Sequence, residues 1–303
     1  MKVAITTSSF AQFSEEPLRL LAEKGLTPVL NPHGRALTED EAIAVLQGCV
    51  AVAAGTEPLT ERVFASLPEL KVVSRCGVGM DSVDQEAAKA RGIAVRCTPD
   101  GPTRAVVELT LGYALDLMRQ VTRMDAEMRQ GVWKKRMGNL LFGKTVGIIG
   151  FGRIGRAVGQ AFAHMGAKPE WYDPFSTGES TFPRHDTMQS LLASADIVTL
   201  HCSKPKDGKP VLDAAAIAAM KPGAWVINAA RGGLIDEEAL YTALKEGKLS
   251  GAALDVYAKE PYTGGLCALP NVVLTPHIGS YAKEARIQME IDTIKNLIEA
   301  LGV

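Results

Sequence analysis

The sequence predicts an α/β protein of two doubly wound parallel-sheet domains, and three observations carry that prediction. Its 303 residues are enough for two proper cores. Apolar strand-like runs alternate with helix-periodic stretches from one end to the other, the pattern of parallel sheets covered by helices on both faces. One long helical stretch divides that alternation into two series.

In the first series, strands are predicted at KVAIT (2–6), VAVAAGT (50–56), KVVSRC (71–76) and IAVRC (93–97). Helices are predicted at 15–25, 38–48 and 83–92, where apolar residues recur three and four apart and a glycine closes the pattern. TPDGPT (98–103) breaks the series, and 104–131 follows as a single helical stretch longer than an average helix. Such a helix suits a connector between domains or a dimer contact. The second series runs through KTVGIIG (144–150), AKPEWYD (167–173), DIVTLHC (196–202), AWVINAA (224–230), GAALDVY (251–257) and NVVLTPH (271–277). The tail from Tyr281 to Val303 is helical and is expected to return to the first domain. The expected division is therefore 1–100 with 281–303, and 101–280.

Composition narrows the function classes. Hydrophobic residues make up 47%, charged residues 22%, and the formal net charge is −1, an ordinary soluble balance. There is no basic excess for a nucleic-acid backbone and no polybasic tail for a membrane surface. MKVAITTSSF is too short and polar for a secretory signal, and no run is long enough to cross a bilayer. Cys49, Cys76, Cys97, Cys202 and Cys267 are odd in number and form no CxxC pair. They suggest a reducing, cytoplasmic setting and neither a disulfide framework nor a metal site.

The sharpest local signal is Gly150, Gly152 and Gly155, spaced GxGxxG between an apolar strand and an apolar-periodic helix. In that context Gly150 permits a tight turn, Gly152 lets backbone N–H groups approach a pyrophosphate, and Gly155 allows close helix–strand packing. The helix N-terminus supplies donors and positive dipole to the anion. Asp173 ends the next strand, where a carboxylate grips ribose hydroxyls and repels a 2′-phosphate. NAD is therefore expected in preference to NADP.

Ligands of open α/β sheets sit beyond the carboxyl ends of the strands. Arg231, Asp255, Glu260 and His277 all fall at or just after such ends. Oxidising a secondary alcohol by hydride transfer requires a base for the hydroxyl proton, and imidazole titrates near working pH. A carboxylate such as Glu260 would orient the ring, and an arginine such as Arg231 would hold a substrate carboxylate and polarise the carbonyl. His201, also at a strand end, is expected to line the cofactor rather than to catalyse.

The segments GFGRIG, NAARGGLIDEEAL, DVYAKEP and LTPHIGS, in this order, resemble the signature blocks of the NAD-dependent D-2-hydroxyacid dehydrogenases. SRCGVGMDSVD (74–84) and TPDGPTRAVVELT (98–110) extend the resemblance over nearly the whole chain, most closely to the D-3-phosphoglycerate dehydrogenase branch. The resemblance implies a flavodoxin-like substrate domain built from both chain ends and a central Rossmann domain, with the active site in the cleft. It implies that Arg231 binds substrate, that Glu260 partners the histidine, and that His277 is the acid/base. Arg153 and Ile154 would contact the pyrophosphate through their backbone, with Asp173 on the ribose. Cys202, Ala229 and Asp255 would lie along the nicotinamide side, and Arg231, His277 and Gly279 are grouped with these cofactor contacts. Val78 and Gly79 would meet the substrate carboxylate, with Arg75 as a second cation.

The expected reaction is reversible hydride transfer between NAD and a D-2-hydroxy acid, 3-phosphoglycerate to 3-phosphohydroxypyruvate being the first choice. Phosphate binding needs further cations, for which Arg75, Arg104 and the WKKR cluster (133–136) are the candidates. Relatives acting on hydroxypyruvate, glyoxylate or D-lactate share the catalytic residues, so those reactions stay open. The chain ends soon after its last helix, so control through a C-terminal serine-binding domain is not expected. A homodimer contacting through 104–131 is expected. The alternative from another class is an NAD-sensing, corepressor-like scaffold, which would carry peptide-docking tails.

Overall fold

The apolar runs of the first series pair side by side as parallel strands because both of their faces are covered. In the computed structural model, which describes residues 1–176 and 179–303, the chain divides into two units, Met1–Pro102 with Ser280–Val303, and Thr103–Gly279. No helix among the described residues is long and apolar enough to cross a membrane.

The first unit runs β1 (Lys2–Ile5), α1 (Glu16–Glu23), β2 (Thr27–Leu30), α2 (Glu39–Leu46), β3 (Cys49–Ala54), α3 (Glu61–Ala65), β4 (Val72–Arg75), α4 (Gln85–Ala90) and β5 (Ala94–Cys97). Its five strands are parallel in the order β2-β1-β3-β4-β5, the flavodoxin-like order. The start of α2 is plain in sequence: Thr38 caps it and Glu41 returns the bond to the Thr38 N–H. Strand β2 (TPVL) is absent from the sequence-based expectation. It contains Pro28, three of its four residues are exposed, and it lies at the sheet edge, where a missing N–H is tolerated.

The second unit runs α5 (Thr103–Arg119), α6 (Val121–Arg129), β6 (Thr145–Ile149), α7 (Arg153–His164), β7 (Lys168–Tyr172), α8 (Met188–Ser194), β8 (Ile197–Leu200), α9 (Ala214–Ala219), β9 (Ala224–Asn228), α10 (Glu237–Lys245), β10 (Leu249–Leu254) and β11 (Val272–Leu274). The six strands are parallel in the order β11-β10-β9-β8-β6-β7. A further one-residue bridge, Arg184 to Trp171, lies beyond β7. The order reverses between β6 and β8, so the turn leaving β6 stands at the switch point where such sheets bind ligands. The last helix, α11 (Lys283–Leu301), belongs to the first unit and buries Ile294 and Leu297 with Val3, Ile5 and Leu21.

One expectation is corrected. The single helix over 104–131 is two helices, interrupted at Gln120, whose φ of 53° is left-handed. The Asp116 carboxylate accepts from the Thr122 N–H at 2.8 Å and from its hydroxyl, anchoring the first turn of α6. The Met118 carbonyl is taken by the Asn139 N–H at 2.7 Å. Neither partner leaves a mark in helical periodicity, and no glycine or proline announces the break.

Candidate active site

The turn after β6 is shaped by what a side chain would meet. Gly150 has φ 90°, and a Cβ there would lie 2.6 Å from the Cys202 nitrogen and 2.7 Å from the His201 carbonyl. A Cβ on Gly155 would lie 2.1 Å from the Gly150 carbonyl oxygen, whereas one on Gly152 would meet nothing within 4 Å. The first and third glycines thus serve close packing, and the second opens space beside the N-terminus of the twelve-residue α7. Arg153 and Ile154 begin that helix. This is a cradle for a pyrophosphate, and the residues present fit a dinucleotide. Asp173 ties the next strand end to the same turn. Its Oδ2 accepts from the Phe151 N–H at 2.8 Å, and its Oδ1 accepts from Phe175 at 2.8 Å and Ser176 at 3.2 Å. Gly155→Ala is expected to displace the Gly150 carbonyl and weaken NADH binding about tenfold or more, read by fluorescence titration.

His201 and Cys202 leave β8 against this turn, the His201 N–H donating to the Ile149 carbonyl at 2.7 Å. The His201 Nδ1 is buried without a hydrogen-bond partner, and Nε2 pairs with Thr199 Oγ1 at 2.9 Å. Burial lowers the imidazole pKa to about 3, so the ring is neutral at physiological pH and unsuited to proton transfer there. Burial likewise pushes the Cys202 thiol up to about 11, leaving it protonated and unreactive. His201 also sets a pH expectation. The unfolded ring takes a proton below about 6.5 and the folded ring only near 3, so stability falls as pH drops through that window. Urea unfolding against pH is expected to show it, and His201→Asn to remove up to about 1.4 kcal/mol per pH unit of the slope.

The second cluster gathers at the carboxyl ends of β9, β10 and β11. After β9, the Asn228 side chain accepts from the Ala230 N–H at 3.1 Å and donates to the Arg231 carbonyl at 3.0 Å, fixing the turn that carries Arg231. The Arg231 guanidinium donates to the Ala230 carbonyl at 2.8 Å. Gly232 then presses on the loop after β10: a Cβ there would lie 1.7 Å from the Tyr257 carbonyl oxygen. Within that loop Glu260 Oε1 accepts from the Tyr257 N–H at 3.1 Å, and Oε2 faces His277 Nδ1 at 3.0 Å. The structure therefore brings the Arg231, Glu260 and His277 loops together, and both members of the histidine–carboxylate pair are exposed.

Asp255 is fully buried and its carboxylate is committed to the chain. It accepts from the Ile278 and Gly279 N–H groups, each at 2.7 Å, and from the Thr275 hydroxyl. The Ala229 carbonyl stands 3.9 Å from where a Gly279 Cβ would be, placing Ala229, Asp255 and Gly279 together. Tyr113, Tyr257 and Thr275 complete this network, and sequence reasoning missed all three. Tyr113 comes from α5, far upstream, and nothing in a helical pattern marks one buried hydroxyl as structural. In the first unit, Arg75 ends β4 with its guanidinium on the Cys76 carbonyl, and Val78 and Gly79 follow in the loop leaving that strand. Among the described residues, no group of three or more His, Cys, Asp or Glu side chains is placed to hold a metal ion.

Comparison with known proteins agrees with this geometry. Residues 111–279 match the family model described as the NAD binding domain of D-isomer specific 2-hydroxyacid dehydrogenases. A hydroxypyruvate reductase of Thermotoga maritima is 33% identical over 296 residues, covering 95% of this chain and 96% of the relative. A D-3-phosphoglycerate dehydrogenase of Mycobacterium tuberculosis is 40% identical over 246 residues, covering 79% of this chain but 47% of the relative, so the chain aligns with about half of that protein. Among solved structures, the TT0316 protein of Thermus thermophilus superposes with a TM-score of 0.93 at 35% identity, covering 100% of this chain and 97% of that one. A turn built to hold a dinucleotide, a histidine–glutamate pair beside an arginine loop and these matches all lead to one assignment: the chain belongs to the D-isomer specific 2-hydroxyacid dehydrogenases, enzymes that use NAD.

Proposed function

We propose that this enzyme reduces a small 2-keto acid to its D-2-hydroxy acid, and runs the reverse reaction, with His277 as the acid/base group, Glu260 as its partner and Arg231 as the substrate-binding cation. The observation that carries the reading is the His277 Nδ1 to Glu260 Oε2 contact of 3.0 Å. With Nδ1 engaged, Nε2 is the nitrogen that gives a proton to the carbonyl oxygen during reduction and takes it back during oxidation. Glu260, held by the Tyr257 N–H, keeps the ring in one orientation and stabilises its protonated form. Arg231 pairs with the substrate carboxylate and draws charge toward the carbonyl oxygen. Bound NAD(H) supplies or accepts the hydride. The backbone of Gly152, Arg153 and Ile154 would hold its pyrophosphate and Asp173 its ribose, while His201, Cys202, Ala229, Asp255 and Gly279 would border the nicotinamide side. Residues 1–100 with 281–303 would serve as the substrate domain, Val78 and Gly79 meeting the carboxylate with Arg75 nearby.

The unphosphorylated acid hydroxypyruvate now ranks ahead of 3-phosphohydroxypyruvate as the keto substrate. Three of the candidate cations already have partners: Arg75 the Cys76 carbonyl, Arg104 the Glu108 carboxylate at 3.0 Å, and Arg136 the Glu127 carboxylate. The Thermotoga maritima relative that aligns over nearly its full length is named for hydroxypyruvate. NADH oxidation with each acid tests the choice: higher kcat/KM for hydroxypyruvate is expected, and higher kcat/KM for the phosphorylated acid would restore phosphoglycerate. NADH binding without turnover on any 2-keto acid would favour the corepressor-like scaffold instead. A cytoplasmic homodimer fits the reading. Trp133 is 80% and Met137 92% exposed, with Leu140 and Phe142 also open to solvent in the segment after α6, a run of exposed apolar side chains that a second copy would cover. Light scattering reporting a monomer would remove the dimer.

A further inference from the structure

His277 has a φ of 56°, the left-handed region that a side-chain-bearing residue enters at a cost. The surrounding chain must therefore impose that conformation, and with it the direction of the imidazole. Part of the restraint is local: the His277 N–H donates to the Asp255 carbonyl at 2.9 Å and the Thr275 carbonyl at 3.1 Å. The rest comes from two buried tyrosines. The Tyr113 hydroxyl meets Thr275 Oγ1 and lies 3.3 Å from Asp255 Oδ1, while Thr275 Oγ1 donates to that same oxygen. Both hydroxyls reach Asp255 Oδ1, and the shorter Thr275 contact, 2.5 Å against 3.3 Å from Tyr113, favours donation from Tyr113 to Thr275 to Asp255. On the other side, the Tyr257 hydroxyl stands 3.0 Å from both the Leu254 and the Thr275 carbonyl oxygens. Its backbone N–H holds Glu260. Burial raises both phenol pKa values, so both hydroxyls remain donors across the working range.

Resting on the reading of His277 as the acid/base group, we propose that Tyr113 and Tyr257 are positioning residues of the reaction, clamping Thr275 from its side chain and its backbone so that His277 meets Glu260 in one fixed geometry. Tyr113 holds the turn through Asp255, whose carboxylate collects the Ile278 and Gly279 N–H groups. Tyr257 joins the two loops that carry the pair, since it touches Glu260 with its backbone and the histidine loop with its hydroxyl. A clamp of this kind acts chiefly on proton transfer, because Asp173 and the glycine turn, which would hold the ribose and pyrophosphate, are held by other contacts. Only Asp255 and Gly279 would be shared with the nicotinamide side.

The test is steady-state reduction of hydroxypyruvate by Tyr113→Phe and Tyr257→Phe, with NADH affinity from fluorescence titration. Each variant is expected to lose about tenfold in kcat, the effect of one missing buried hydrogen bond, with the NADH Kd within about twofold of wild type. In a Glu260→Gln background the Tyr257→Phe loss should shrink to about threefold or less, since the coupling it protects is already gone. Thr275→Ser, which keeps the hydroxyl, should retain kcat, and Thr275→Val should not; this pair decides the matter if a tyrosine variant fails to fold. Unchanged kcat in both phenylalanine variants, an equal loss in both backgrounds, or a parallel fall in NADH affinity would each overturn the clamp. If His277→Asn kept wild-type kcat, the reading of His277 itself would fall instead.

Discussion

His277→Asn is expected to lower kcat by about 10²–10⁴-fold, the usual worth of a positioned acid/base group, with the NADH Kd within about twofold of wild type. Asparagine is the informative replacement because the backbone at this position is left-handed, with φ 56°. Asn tolerates that region better than most residues, whereas alanine would add backbone strain to the loss of the imidazole. Asn cannot exchange a proton at neutral pH, so a fall in kcat alone isolates the chemistry. Equal losses in kcat and NADH affinity would instead make His277 a support for the cofactor side. Glu260→Gln should produce a smaller fall, since the amide still reaches Nδ1, where the carboxylate stands at 3.0 Å, but no longer stabilises a charged ring.

Arg231→Ala is expected to lower kcat/KM by about 10²–10³-fold, again with little change in NADH affinity. The substitution removes the guanidinium and leaves the turn intact, because the Asn228 side chain grips the backbone of Ala230 and Arg231 rather than the arginine side chain. Arg231→Lys should recover only part of the loss: an ammonium keeps the charge but cannot offer the planar pair of donors that matches a carboxylate. Steady-state kinetics with hydroxypyruvate checks both variants. Full activity in Arg231→Ala would move substrate binding to another cation.

Sequence made the fold class and the chemistry-bearing residues legible for physical reasons that differ from element to element. Four of the six strands of the second sheet, β6, β8, β9 and β10, are largely buried apolar runs, and such runs are visible without partners. Gly150, Gly152 and Gly155 are readable because their spacing follows from the geometry of one turn, and the room beside Gly152 is what that geometry requires. His277 and Glu260 carry recognisable side chains at strand ends. What stayed hidden depends on contacts between distant segments. The break at Gln120 follows from Asp116 holding Thr122 and from Asn139 reaching back to Met118. Strand β2 was masked by Pro28, which only an edge position excuses. Tyr113 reaches Thr275 across 162 positions, and no local pattern encodes that meeting. The buried Asp255 lies in a motif, yet its grip on the Ile278 and Gly279 N–H groups appears only once β10 and β11 are side by side.

Every residue role proposed for this chain depends on its moving a hydride between NADH and a 2-keto acid to give the D-hydroxy product. Mixing the purified protein with NADH and hydroxypyruvate, following absorbance at ~340 nm and resolving the product on a chiral column, tests it directly; the wavelength is that of the reduced nicotinamide carried by the cofactor. NADH consumption matched by D-glycerate is expected, and lost on His277→Asn. NADH that binds but is not consumed with any 2-keto acid, or an L-configured product, would contradict it.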